Sequence, residues 1–99
     1  MAEQSIDEMW SVERLDHLVN TDPSAALTVA NDWRRAVAGD ATAEAKALSA
    51  IARAYFELGR SHEAADRIRE ALALSASSSD RALEERIAMS GAAILGDAG

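Results

Sequence analysis

Ninety-nine residues carry 17 Asp and Glu against 10 Lys and Arg, a net charge of −7, with no cysteine. So acidic a chain lacks the cations that neutralise phosphate backbones or hold a protein on an anionic membrane, so neither nucleic acid nor membrane is an expected partner. Without cysteine there is no disulfide framework and no thiolate zinc site, and the N-terminal MAEQSIDEMW has no apolar signal region.

No apolar run reaches bilayer length either, and the expected setting is the cytoplasm. The length suits one small domain, spanning 1–99, with a single thin core. Hydrophobic residues make up 48% of the chain but aromatics only 4%, so alanine, the best helix former, carries much of the apolar content. Five Gly and one Pro leave few helix breakers, and the expected class is all-α.

Ser5-Ile6-Asp7-Glu8 has the form of a capping box, and Ile6, Met9, Trp10, Val12, Leu15, Leu18 and Val19 then recur at helical spacing to about Asn20. Asp22-Pro23 stops this helix and starts a second, from about Ser24 to Ala38, with the stripe Ala26, Leu27, Ala30, Trp33 and Val37 and with Gly39 at its end. Trp33, large where a small residue is usual, is expected to fill space between helices two and four. Asp40 caps a third helix, about Ala41 to Leu58, whose apolar face is Leu48, Ile51, Ala52, Tyr55 and Leu58.

Gly59 supplies the left-handed residue of the next turn, and Ser61 is the candidate cap of helix four, about His62 to Ser75, which buries Ala64, Ala65, Ile68, Ala71, Leu72 and Leu74. The serine-rich Ser75–Asp80 reads as an inter-helix loop or a frayed helix end. Helix five, about Arg81 to Leu95, carries Leu83, Ile87, Ser90, Gly91, Ile94 and Leu95 on one side, and Gly96-Asp97-Ala98 reads as a closing turn.

The chain repeats itself. At one offset Ala43 falls on Ala82, Leu48 on Ile87, Ala52 on Gly91, Tyr55 on Ile94 and Phe56 on Leu95; at an offset one shorter, Ala26 falls on Ala64, Ala30 on Ile68 and Trp33 on Ala71. A repeated pair of helices is the sequence signature of a solenoid.

The stretch Ala45–Ser78 resembles a tetratricopeptide repeat, a helix–turn–helix unit of about 34 residues. Leu48, Ile51, Ala52 and Tyr55 stand at the family's first-helix positions, Gly59 at its turn, and Ala64, Ile68 and Ala71 at those of the second helix. Ala76 replaces the family's common terminal Pro, which lets helix four run on. The resemblance implies antiparallel helical hairpins stacked as a short right-handed solenoid of about five helices. A degenerate repeat would span about 6–39, a clear one 45–78 and a half repeat or capping helix 80–96. Ala-rich repeats with a Gly-Asp turn also resemble those of longer actinobacterial-type proteins, where they precede caspase-like domains or belong to large transcriptional regulators.

No catalytic constellation is legible. His17 and His62 have no metal-ligand spacing, the acid pairs Asp7/Glu8 and Glu84/Glu85 point to different helix faces, and neither a phosphate loop nor a nucleophile elbow is present. The expectation is a non-enzymatic protein-interaction module with no metal and no cofactor. In the family the first helix of each pair lines a concave groove, which here places Lys46, Ser49, Ala50, Arg53 and Phe56 in it. Lys46 and Arg53 lie two turns apart and flank Phe56, a combination suited to an acidic or C-terminal segment of a partner. The carboxylate-clamp subtype does not fit, because Ala50 stands where that subtype has Asn. On helix one the corresponding side holds Trp10, Glu13, His17 and Asn20, with Trp10 either a groove anchor or a staple closing the N-terminal end. The competing readings are that Lys46 and Arg53 merely balance nearby acids while Phe56 packs between repeats, and that the chain self-associates through Leu83, Ile87, Ile94 and Leu95.

Overall fold

Three aspartates set three of the helix starts. In the computed structural model, which describes residues 12–77 and 80–98 (without the side chains of 12, 13, 16, 97 and 98), Asp22 accepts a hydrogen bond from the Ala25 N–H and Asp40 from the Ala43 N–H, both at 3.2 Å. Asp80 accepts one from the Leu83 N–H at 3.0 Å. Each contact satisfies a backbone donor that the first helical turn leaves without a partner. Asp80, which the sequence places in a serine-rich loop, is therefore a cap.

The described residues form five helices and no strand: α1 Val12–Thr21, α2 Pro23–Ala36, α3 Ala41–Glu57, α4 Ser61–Ala76 and α5 Arg81–Ala98. Pro23 takes the first position of α2, where its missing N–H costs nothing. The capping box at Ser5–Glu8 and the side chains of Ile6, Met9 and Trp10 lie outside the described residues.

The turn between α3 and α4 is closed by two reverse hydrogen bonds, from Gly59 N–H to the Phe56 carbonyl at 3.0 Å and from Arg60 N–H to the Tyr55 carbonyl at 2.8 Å. This pairing requires a left-handed residue between them, and Gly59 supplies it at φ +79°. The α2–α3 turn is made differently. Asp40 N–H donates to the Val37 carbonyl at 3.0 Å, and Gly39 at φ +97° occupies the position where such a turn needs positive φ.

Two helix ends differ from the sequence reading. Ser61 does not cap α4 but is its first residue, and the cap position falls to Arg60, whose side chain makes no capping bond. The Arg60 guanidinium instead stands 5.6 Å from the Tyr55 ring centroid and 3.2 Å from the Glu63 carboxylate. At the other end, Gly96-Asp97-Ala98 is not a turn. Gly96 has no positive φ, and α5 continues through it to Ala98.

Connections of one to four residues make each helix pack on the next, and α1 also touches α3 as α3 touches α5. By contrast, no Cα of α2 comes within 8 Å of a Cα of α4. The odd-numbered helices thus share one continuous layer. Trp33, Leu15, Leu48, Ile51, Ile68 and Ile87 are the largest fully buried side chains, and alanines fill most of the remaining contacts, among them Ala52, Ala64 and Ala71. A smaller cluster of Val19, Ala26 and Ala54 joins α1 to α2 and α3.

Close approach is tightest between α4 and α5, where a Cβ on Gly91 would stand 3.0 Å from Ile68 Cγ1. Gly91 is the residue that the internal repeat aligns with Ala52, and both are buried where a small side chain lets two helices meet. The same packing overturns one expectation. Leu83, Ile87 and Ile94, read as an unpartnered apolar side of α5, are 5%, 1% and 2% exposed and belong to the main core, with Leu95 packed against it. Contact with α4 and α3 covers them, so they are not an exposed surface for self-association.

Candidate functional site

Two helical stripes face each other across the layer of odd-numbered helices. On α3, Lys46, Ser49, Ala50 and Arg53 recur at i, i+3, i+4 and i+7, and on α5, Leu83, Arg86, Ile87 and Ser90 recur in the same pattern. Together with Trp33 from α2 they enclose an open cavity of about 260 Å³. A second depression of about 200 Å³ shares Arg53 and Ser90 with the first and adds Phe56, Glu57, Ala93 and Ile94. The two therefore form one cleft along α3 and α5.

The buried residues that line the first cavity are apolar. Ala50 is 7% exposed, and Trp33, Leu83 and Ile87 are buried. Trp33 was expected between helices two and four. It is found instead in the wall that α2 contributes beside α3 and α5, and its Nε1 has no hydrogen-bond partner among the described residues.

The rim is polar, and its charge is of one sign. Lys46, Arg53 and Arg86 are its only charged residues, in a protein whose net charge is −7. Lys46 and Arg86 have no ion-pair partner among the described residues, whereas Arg53 is engaged in an interaction of its own. The seryl hydroxyls of Ser49 and Ser90 add one donor and acceptor from each helix. Low-dielectric walls beneath unpaired cations strengthen their attraction for an anion relative to open water.

Lys46, Ser49, Ala50 and Arg53 thus lie in one cavity, and Phe56 lies in the adjoining depression, half-buried against the main core. His17 is on α1 and exposed; its carbonyl accepts the Thr21 hydroxyl at 3.0 Å, and it lines neither space. Trp10 lies outside the described residues. Reading the sequence did not single out Arg86, and it placed Ser90 on an apolar side. The signal that could have found them is the i, i+3, i+4, i+7 stripe 83–86–87–90, which copies the spacing of the α3 stripe.

Among the described residues no cluster of three His, Cys, Asp or Glu could hold a metal ion, and no helix is long and apolar enough to cross a membrane. Compared with known families, with curated proteins and with solved structures, the chain matches none.

Proposed function

We propose that this chain is a non-enzymatic protein-interaction module of tetratricopeptide-like construction that holds an acidic segment of a partner protein in the α3–α5 cleft. The observation that carries the reading is the cleft itself: a trough with buried apolar residues beneath and, on each wall, a cation with no ion-pair partner among the described residues, in a chain whose net charge is −7. Charge complementarity of this kind speeds encounter and selects the partner, while the buried apolar floor supplies affinity.

Three features support the repeat construction. The α3–α4 hairpin turns at Gly59, the odd helices touch in succession while α2 and α4 stay apart, and small residues stand at the helix contacts. An arrangement of stacked hairpins leaves the first helix of each pair along one face, which is where a segment would be read. The scaffold or regulatory role expected of such a module follows from binding alone and needs no catalytic group.

Charge reversal tests the reading. Peptides obtained by random display against the protein are expected to lose at least about tenfold in affinity, or 1.4 kcal/mol, for the Lys46→Glu, Arg86→Glu variant. Unchanged affinity with an unchanged helical circular-dichroism spectrum removes the cleft as the binding site.

A further inference from the structure

The charge count of the cleft points to a particular kind of anion. A carboxylate is satisfied by one cation, and a single bidentate arginine suffices for it. Here two cations with no ion-pair partner among the described residues, Lys46 on α3 and Arg86 on α5, line opposite walls of a cavity of about 260 Å³ that the hydroxyl-bearing Ser49 and Ser90 also line. Glu44, Glu84 and Glu85, the carboxyl groups nearest to them in sequence, do not line the cavity, and no Asp or Glu lines it among the described residues.

A single negative charge would leave the pair half neutralised. A phosphate monoester carries about −1.5 to −2 at neutral pH and three acceptor oxygens, which matches two cations and two hydroxyl donors. From this match we infer that the residue anchored in the first cavity is a phosphorylated serine or threonine of the partner segment. The inference rests on the cleft being the binding site and specifies what the cleft reads.

The adjoining depression says why the phosphate belongs to a segment rather than to a free ion. It continues the cleft with Phe56, Ala93 and Ile94 beside the polar Arg53, Glu57 and Ser90, and the three apolar side chains are of no use to inorganic phosphate. Its centre lies about five to six residues further along both helices, roughly 8 Å at the helical rise. An extended segment advances about 3.3 Å per residue, so an apolar side chain two or three positions from the phosphorylated residue falls into that depression. The recognised pattern is a phosphorylated residue followed or preceded at that spacing by an apolar one.

Degenerate peptide pools of about seven residues, long enough to span both depressions, test this with the full chain. They differ only at the central position, which is phosphoserine, glutamate or serine. The phosphoserine pool is expected to bind about tenfold more tightly than the glutamate pool, because its second charge finds the second cation. A Lys46→Gln, Arg86→Gln variant with an unchanged helical spectrum should bring the two pools level, and sequencing the retained phosphopeptides should show apolar enrichment two or three positions from the centre. Equal binding of the glutamate and phosphoserine pools overturns the phosphate inference while leaving the cleft in place. Inorganic phosphate displacing the retained peptides at the peptides' own concentration, or a short RNA binding more tightly than they do, overturns it as well. Failure of all three pools to bind removes the peptide cleft and the inference together.

Discussion

Arginine is used in two opposite ways in this small protein. Arg34 on α2 reaches Glu44 of α3 at 3.7 Å and Glu70 of α4 at 3.3 Å, and Glu70 is held in turn by Arg67 at 2.8 Å. That network ties together three helices, two of which have no backbone contact with each other. Across the layer, Arg86 and Lys46 line a cavity and have no ion-pair partner among the described residues. The first arginine is neutralised by the fold, and the second is not paired by any described residue. In an acidic chain, where an unpaired acid is commonplace, an unpaired cation over an apolar trough is the more informative feature.

This contrast can be broken from either side, and the largest expected effect lies in the packing that holds both sites in place. Gly91→Leu forces a side chain into Ile68, where a Cβ alone would stand 3.0 Å away. It should cost about 3 kcal/mol, near the upper end for overpacking, and lower the thermal midpoint by more than 10 °C, with the α3–α5 cleft losing its shape. Ala64→Leu, at a fully buried contact, should cost about 1–3 kcal/mol in urea titration with the slope unchanged.

Smaller changes separate the two sets of cations. Gly59→Ala places a Cβ on a residue at φ +79° and should cost about 1–2 kcal/mol without touching either set. Glu70→Ala strands Arg67 and leaves Arg34 with Glu44 alone, but the pairs are partly exposed, and the loss should be no more than about 1 kcal/mol in chemical denaturation. The Lys46→Gln, Arg86→Gln variant removes no ion pair of the fold and should change stability by less than about 0.5 kcal/mol. If it destabilises more than Glu70→Ala, the cleft cations are structural and the contrast fails.

Much of the scaffold was legible because its signals are local. Asp22 and Asp40 announce helices through a bond three residues on, Gly59 marks a left-handed turn, and the helical period of Leu48, Ile51 and Ala52 gives the buried face of α3. What stayed hidden depends on neighbours that the chain does not place close in sequence. Glu70 reads as an ordinary surface charge until α2 brings Arg34 beside it. The apolar side of α5 reads as unpartnered because periodicity shows which residues seek burial and not which helix covers them.

The cleft shows the same division. Its α3 wall follows from a position pattern, so Lys46, Ser49, Arg53 and Phe56 could be named from the sequence. Its α5 wall is harder to see, because Arg86 aligns with Ala47 and Ser90 with Ile51 at the repeat offset, and only the spacing of the stripe 83–86–87–90 betrays them. The stacking of α5 on α3 and α4 then shows that this stripe faces the α3 stripe and that the second wall carries its own cation. The helix end at Ala98 was missed for a simpler reason: glycine weakens a helix but does not end one unless the chain turns there.

The central claim is that the α3–α5 cleft binds the partner segment, and the most direct measurement is where a bound peptide perturbs the backbone amide spectrum. With a peptide selected by random display and titrated to saturation, the largest shifts are expected at residues 46–57 of α3 and 83–94 of α5, with α1 and the exposed side of α2 unmoved. Shifts centred on α1 and α2, with α3 and α5 silent, would contradict it.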